Sequence, residues 1–302
     1  MNNKILAAID IGSYNCRLVI VNNFREIKTI SIATNLIKNL SFSNEFNKEN
    51  INKTINCLIL FSRKMLEYKV EKYRCIATEA CRQVINSDYF INEVKRKSGL
   101  SVEIISSYEE ARLCFKSCKK YLDKIEQGIL FDIGGGSTEF SIFDINKGDF
   151  STKSISYGVV NFSEKQSLYG KEKILFEINK HFKLFKSKFI KEIDVSYSLG
   201  SCSTISTLCA LYKNLSFFDK KKIEGSILNV EIVKELIFKV RNYSIDEMLN
   251  HPCIKERYPL LLNGIEILEQ ILVTIPIKNI IVSQAGLTNG IIEDLNLLYE
   301  KN

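Results

Sequence analysis

The sequence predicts an α/β protein built from two duplicated lobes. Three observations carry this reading: an ungapped internal repeat, strand-like apolar runs alternating with helix-length amphipathic stretches, and a composition suited to a large core. "AIDIGSYNCRLVIV" (8–21) and "LFDIGGGSTEFSIF" (130–143) align without a gap, setting Asp10 on Asp132, Ile11 on Ile133 and Gly12 on Gly134. The same spacing carries "TEACR" (78–82) onto "GSCST" (200–204), each after a strand-like run. Solenoid units recur about every 20–50 residues, so a repeat this long means a duplicated domain. With 302 residues, 45% hydrophobic and 25% charged, the chain can bury a sizeable core and form two domains.

The elements follow in order. "KILAAIDIG", "CRLVIVN" and "EIKTISIAT" read as a β-meander, followed by helical stretches over 48–70 and 87–98 and strands at 73–77 and 101–105. The first lobe is expected to span 1–125 and the second 126–302. In the second, "GILFDIG", "TEFSIFD" and "STKSISYG" are strands, followed by a Lys-rich helical section over 161–192, the strand "VSYSLG" and further helices. A strand "NIIVSQAG" precedes a closing helix with Leu287, Ile291, Leu295 and Leu298 on one face, expected to return to the first lobe. Three prolines in the chain leave no obvious linker, so a hinge is expected. Two such lobes facing each other would make a cleft in which Asp10 and Asp132 meet.

Composition excludes several classes. The nine cysteines form no CxxC pair and sit mostly in apolar runs, which suits reduced core residues better than a zinc site. His181 and His251 lack a second ligand at metal spacing. The net charge of +7 is spread through helical stretches, so it suits a polyanion without marking specific nucleic-acid binding. "MNNKILAAIDIG" lacks the pattern of an export signal, and no run of about 18 uncharged apolar residues occurs. A cytoplasmic protein with no membrane partner is expected.

The chemistry concentrates in "FDIGGGSTEF" (131–140). Glycines between two strands allow a tight hairpin whose successive amides form an anion nest, with Ser137 and Thr138 adding hydroxyl donors. Asp132 and Glu139 would repel a phosphate unless a divalent cation lay between, and Mg²⁺ takes one or two carboxylates plus phosphate oxygens and water. The stretch alone fits either a Mg-phosphate site or an ordinary glycine-rich hairpin. Glu110 is similarly open: Ser107 and Glu110 satisfy the S-x-x-E pattern of a helix cap.

Six segments in order, "AAIDIGSYNCRL", "IATEACRQVINS", "VEIISSYEEARLCF", "LFDIGGGSTEFSIF", "LGSCSTISTLCA" and "VSQAGLTNG", resemble the exopolyphosphatase and guanosine pentaphosphate phosphatase (Ppx/GppA) family over nearly the full length, in its short two-domain form. The resemblance implies an actin-like (ribonuclease H-like) α/β fold and a Mg²⁺- or Mn²⁺-dependent hydrolase acting on inorganic polyphosphate or on guanosine pentaphosphate (pppGpp). A homodimer is carried as an expectation. It implies Glu110 as the base that activates water, with Glu109 the lesser candidate, and Arg82 directed at the phosphate chain, where a planar guanidinium could bond two oxygens at once; the alternative for Arg82 is a solvated arginine at a helix start. It implies Asp132, Glu139 and Asp10 as metal ligands. Gly12, Ser13, Asn15, Gly134, Gly135, Gly136, Ser137 and Thr138 would bind phosphate, with further donors from Gly200, Ser201, Ser203 and Thr204.

The chain departs from the family pattern at Tyr14, which precedes Asn15 where Asn follows "DIGS", at Asn161 where many members carry Arg, and at Gln284 and Thr288 in place of Asp and Arg. These leave the catalytic set in place and bear on substrate. Hydrolysis of terminal phosphate from polyphosphate is the first expectation, pppGpp hydrolysis the second, and a non-catalytic (p)ppGpp-binding regulator the third.

Overall fold

The computed structural model describes residues 4–122, 125–190 and 195–300. They divide into two compact units, 1–117 with 285–302 and 118–284.

In the first unit, β1 (Ile5–Ile11), β2 (Asn15–Asn22) and β3 (Arg25–Ala33) form the expected meander, and β4 (Lys72–Ala77) and β5 (Val102–Ile104) add parallel strands to give the order β3-β2-β1-β4-β5. Leu6, Ala7, Ala8, Ile9 and Ile11 of β1 are all buried, which breaks the in-out alternation and requires a sheet covered on both faces. The helices are α1 (Leu40–Ser43), α2 (Lys48–Glu67), α3 (Glu79–Gln83), α4 (Ser87–Ser98) and α5 (Ser107–Ser117). α2 starts where Asn47 accepts the Asn50 amide at 2.8 Å and turns Ile51, Ile55, Leu58 and Phe61 inward, while α4 stops at Gly99, in the left-handed region at φ 75°.

The second unit repeats the scheme. After α6 (Lys119–Leu122), β6 (Gln127–Ile133), β7 (Thr138–Asp144) and β8 (Asp149–Ile155) form an antiparallel meander, and β9 (Tyr197–Gly200) runs parallel to β6. β10 (Ile227–Asn229) and β11 (Asn279–Val282) complete the order β10-β11-β9-β6-β7-β8, so the arrangement of the first sheet recurs with one added edge strand. The helical section expected over 161–192 is two helices, α7 (Asn161–Tyr169) and α8 (Lys171–Phe189), broken at Gly170, whose φ of 82° a helix cannot contain; residues 191 and 192 lie outside the described residues. α9 (Ser203–Tyr212), α10 (Lys220–Ile223), α11 (Val230–Arg241), α12 (Ile245–Asn250) and α13 (Tyr258–Thr274) follow. Phe140 of β7 packs against α8, tilted on Phe182 and edge-on to Phe185, with ring centroids 5.5 and 5.0 Å apart.

The last helix, α14 (Leu287–Glu300), lies in the first unit, where Leu287, Ile291 and Leu295 are buried against β1 and α5; the side chain of Leu298 lies outside the described residues. The units part between Ser117 and Cys118, where the sequence put the boundary at 125/126. α6 is tied to the second unit: the Tyr121 hydroxyl donates to Glu224, and Lys120 pairs with the same carboxylate.

Candidate active site

Each unit carries its own copy of the Asp-Ile-Gly hairpin. In the first, the Gly12 amide donates to the Asn15 carbonyl at 3.0 Å, and a Cβ on Gly12 would lie 2.9 Å from that same oxygen, so the turn admits only glycine. In the second, the Gly134 amide donates to Ser137 at 2.9 Å. Gly12 and Gly134 therefore close their hairpins and do not offer the phosphate-binding amides expected of them.

The next residues behave otherwise. The carbonyls of Gly134 and Gly135 accept from the Val159 and Val160 amides at 2.9 and 2.8 Å, and the Gly136 carbonyl accepts from Asn161 Nδ2 at 2.8 Å. All three loop carbonyls are thus held by the turn that starts α7. The amides of Gly135 and Gly136 donate to no backbone carbonyl among the described residues. Such a loop leaves donors, not acceptors, for an anion. The first unit does the same with other residues: the Ser13 carbonyl accepts from Ile37 and the Tyr14 carbonyl from Thr34 and Asn35, again leaving the Ser13 and Tyr14 amides without a backbone acceptor among the described residues. Asn15 is exposed at the start of β2.

The two hydroxyls expected to bind phosphate are already donating. Ser137 Oγ gives its proton to Glu139 Oε1 at 2.7 Å, and Thr138 Oγ1 gives its proton to the Tyr157 carbonyl at 2.7 Å. Glu139 also accepts from Ser154 Oγ at 2.8 Å, its neighbour across the β7–β8 pair, and is 4% exposed. Asp132 stands directly opposite Glu139 in the β6–β7 register, whereas the first unit sets Arg17 opposite Asp10. Opposed carboxylates repel, so this face of the second sheet suits a cation. Among the described residues, no three His, Cys, Asp or Glu side chains gather as a ready-made metal cluster.

Asp10 sits at the end of β1. Its Oδ1 is buried without a hydrogen-bond partner, and burial pushes the carboxyl up to about 6 against the pull of Arg17.

Residues of "GSCST" serve mostly structure. A Cβ on Gly200 would meet Ile205 and Phe131 at 2.9 Å, and the Ser201 amide is spent on the Phe131 carbonyl at 3.0 Å. Ser203 begins α9 and is exposed, its carbonyl accepting from Thr207 Oγ1 at 2.8 Å. Thr204 is buried against Gly264 of α13, its Oγ1 without a partner. Cys202, ahead of α9, has its thiol pushed up to about 11 by burial and by the charge of Asp132.

Arg82 and Glu110 do come together. Arg82 Nη2 donates to Glu110 Oε2 at 3.0 Å. Arg82 Nε and Nη2 also donate to Glu79 Oε2 at 3.0 and 2.8 Å, and Nη1 donates to the Ile105 carbonyl at 2.8 Å. The side chain is 19% exposed, so it is not a solvated arginine at a helix start. Burial opposes its charge, yet Glu110 and Glu79 hold the guanidinium above its ordinary value. The cap of α5 is Ser106, whose Oγ accepts the Glu109 amide at 3.1 Å. Ser107 is the first helical residue, so Ser107 and Glu110 are out of step for a capping box. Glu109 turns to Arg112 and Arg74, at 2.7 and 3.3 Å.

Three contributors escaped the sequence reading. Glu79 carried an i,i+3 signal toward Arg82. Ser154 and the 158–161 turn carried none, because their partners lie far away in the chain. Of the departures, Asn161 locks the glycine loop, and Gln284 Nε2 donates to Ser206 Oγ at 2.6 Å. Thr288 is buried with its Oγ1 unpartnered.

A model of the Ppx/GppA phosphatase family matches residues 19–298. The chain belongs to the Ppx/GppA phosphatase family. The crystal structure of the Aquifex aeolicus Ppx/GppA member is similar at 27% identity and a TM-score of 0.80, with 99% of each chain covered. A bifunctional 3-dehydroquinate synthase/phosphatase of Fusobacterium nucleatum is 30% identical over 291 residues, covering 90% of this chain, and a guanosine-5'-triphosphate,3'-diphosphate pyrophosphatase of Photobacterium profundum is 29% identical over 168 residues, covering 53% of it. The matches span 43% and 33% of those two curated relatives. The chain shares the α/β fold of the Aquifex aeolicus member, here built on two mixed sheets.

Proposed function

We propose that this Ppx/GppA phosphatase removes the terminal phosphate of inorganic polyphosphate by in-line attack of water. The observation that carries the reading is the 134–136 loop, with its carbonyls bound and the Gly135 and Gly136 amides left to donate, in a chain that also holds the Glu110–Arg82 pair. Glu110 orients and deprotonates the water, a role worth roughly 10²- to 10⁴-fold in rate. The new P–O bond forms as the anhydride P–O bond breaks, and orthophosphate and a shortened chain leave. The loop amides hold phosphate oxygens as charge develops on them.

A divalent cation would fit Asp10, whose buried Oδ1 lacks a hydrogen-bond partner. It also fits the opposed pair Asp132 and Glu139. Mg²⁺ or Mn²⁺ held by these carboxylates would supply charge neutralisation at the phosphoryl oxygens.

A second reading, pppGpp hydrolysis, is favoured by the name of the Photobacterium relative. Released phosphate measured side by side with long-chain polyphosphate, pppGpp and ATP decides between them. Fastest turnover on polyphosphate supports the first reading, efficient cleavage of pppGpp with none of polyphosphate replaces it with the second, and no release from any of the three leaves a binding protein. Hydrolysis undiminished in excess EDTA would remove the cation from the account.

A further inference from the structure

The hydrogens of Arg82 are nearly all spoken for. Nε–H and one Nη2–H go to Glu79, the other Nη2–H to Glu110 and one Nη1–H to the Ile105 carbonyl, so a single Nη1–H has no acceptor among the described residues. An arginine gripping a phosphate bidentately needs two parallel N–H groups. Arg82 in this state has one to give. Glu79 causes this: it is 8% exposed, sits in the first turn of α3, and takes both the Nε edge of the fork and half of Nη2.

We propose that Glu79 is a positioning residue that withholds Arg82 from the substrate and fixes it on Glu110. Resting on the reading of Glu110 as the base, the arrangement makes Arg82 an orienting partner of that carboxylate first and a phosphate ligand only through Nη1. Glu79 and Glu110 both pair with Arg82, so neither is left as an uncompensated buried charge; their side chains are 11% and 12% exposed. The neighbouring charges on α5, β4, β5 and α14 form a separate set: Glu109 and Asp294 bond Arg112 and Arg74, Asp294 also bonds Lys116, and Glu103 bonds Arg74. No bond from that set to Arg82 occurs among the described residues.

Weakening Glu79 therefore has an unusual signature. The guanidinium becomes available to phosphate in the ground state while Glu110 loses its fixed partner, so turnover and KM fall together, as when binding is spent on the ground state instead of the transition state. Loss of mere structure would lower turnover through unfolded protein or raise KM.

The test uses the full chain with Glu79→Gln, which keeps the shape, and Glu79→Ala. It reads kcat and KM on the better of polyphosphate and pppGpp, and the Kd of tripolyphosphate by calorimetry. Glu79→Gln is expected to lower kcat about tenfold and to tighten both KM and the tripolyphosphate Kd by about threefold, with a larger effect in Glu79→Ala. In Glu79→Gln/Arg82→Ala the tighter binding should disappear. Unchanged kcat in Glu79→Gln, or binding that weakens or stays as in wild type, overturns the proposal. Glu110→Gln is measured in parallel: full turnover there sinks the assignment of the base, while the tripolyphosphate Kd still reports whether Glu79 restrains Arg82.

Discussion

Asn161 shows how a single amide can stand where a charge was expected. Its Nδ2 donates to the Gly136 carbonyl and its Oδ1 accepts the Gly158 amide, both at 2.8 Å, and it is 3% exposed. Asn161→Ala would leave two buried backbone groups unpaired at about 1–3 kcal/mol each. The Gly136 carbonyl would then be free to turn toward an incoming anion. The expected outcome is a lower melting temperature together with a KM raised several-fold, checked by steady-state kinetics at a temperature where the variant remains folded. A variant that loses stability and keeps its KM would show that the loop does not depend on this side chain. Gly158 belongs to the same contact, since a Cβ there would lie 2.5 Å from the Gly135 backbone.

At the scale of elements, α5 is held in register from behind. Gly290 of α14 lies so close to α5 that a Cβ would come within 2.1 Å of the Leu113 carbonyl oxygen. Gly290→Ala is therefore expected to destabilise the protein by at least about 1–3 kcal/mol, the usual cost of overpacking, as denaturant unfolding would show. An unchanged midpoint would mean that the two helices are not packed this closely. Asp294 on α14 adds a pH-dependent tie. Burial alone would raise its carboxyl, but Arg112 and Lys116 hold it below its ordinary value of 3.8. A depressed carboxyl contributes stability above its unfolded pKa and loses it as pH falls through the folded one. Between about pH 5 and about pH 3 the wild-type melting temperature should thus fall more steeply than that of Asp294→Asn. Parallel curves for the two proteins would contradict this.

The elements themselves were legible in the sequence where strands were long and apolar. β1, β2, β6 and β7 announce themselves through the Asp-Ile-Gly repeat, and the recurrence of one strand order in two sheets is what that repeat foretold. The break at Gly170 and the added strand β10 were not visible, because a glycine inside a Lys-rich amphipathic run, or a three-residue strand, gives too short a signal. The site was half legible. Arg82 and Glu110 were singled out, yet which amides stay open and which hydroxyls are already spent depends on partners such as Tyr157, Ser154 and Asn161, brought in by sheet register and by the turn that starts α7.

At the scale of the whole molecule, the net charge of +7 predicts that a longer polyanion is drawn in more strongly than a short one. KM for long polyphosphate should lie well below that for tripolyphosphate at low ionic strength, and the gap should narrow as KCl rises, because screening shortens the reach of the field to about 10 Å at 0.1 M salt. A KM independent of chain length and salt would point to recognition of a nucleoside instead.

The central claim is that Glu110 is the base of a phosphoanhydride hydrolase, and Glu110→Gln tests it most directly, since the substitution removes the charge and keeps the shape. Phosphate release by the purified variant, with tripolyphosphate binding and the melting temperature measured on the same sample, is expected to fall by roughly 10² or more while binding and folding persist. A variant that keeps more than about a tenth of wild-type turnover would contradict the claim.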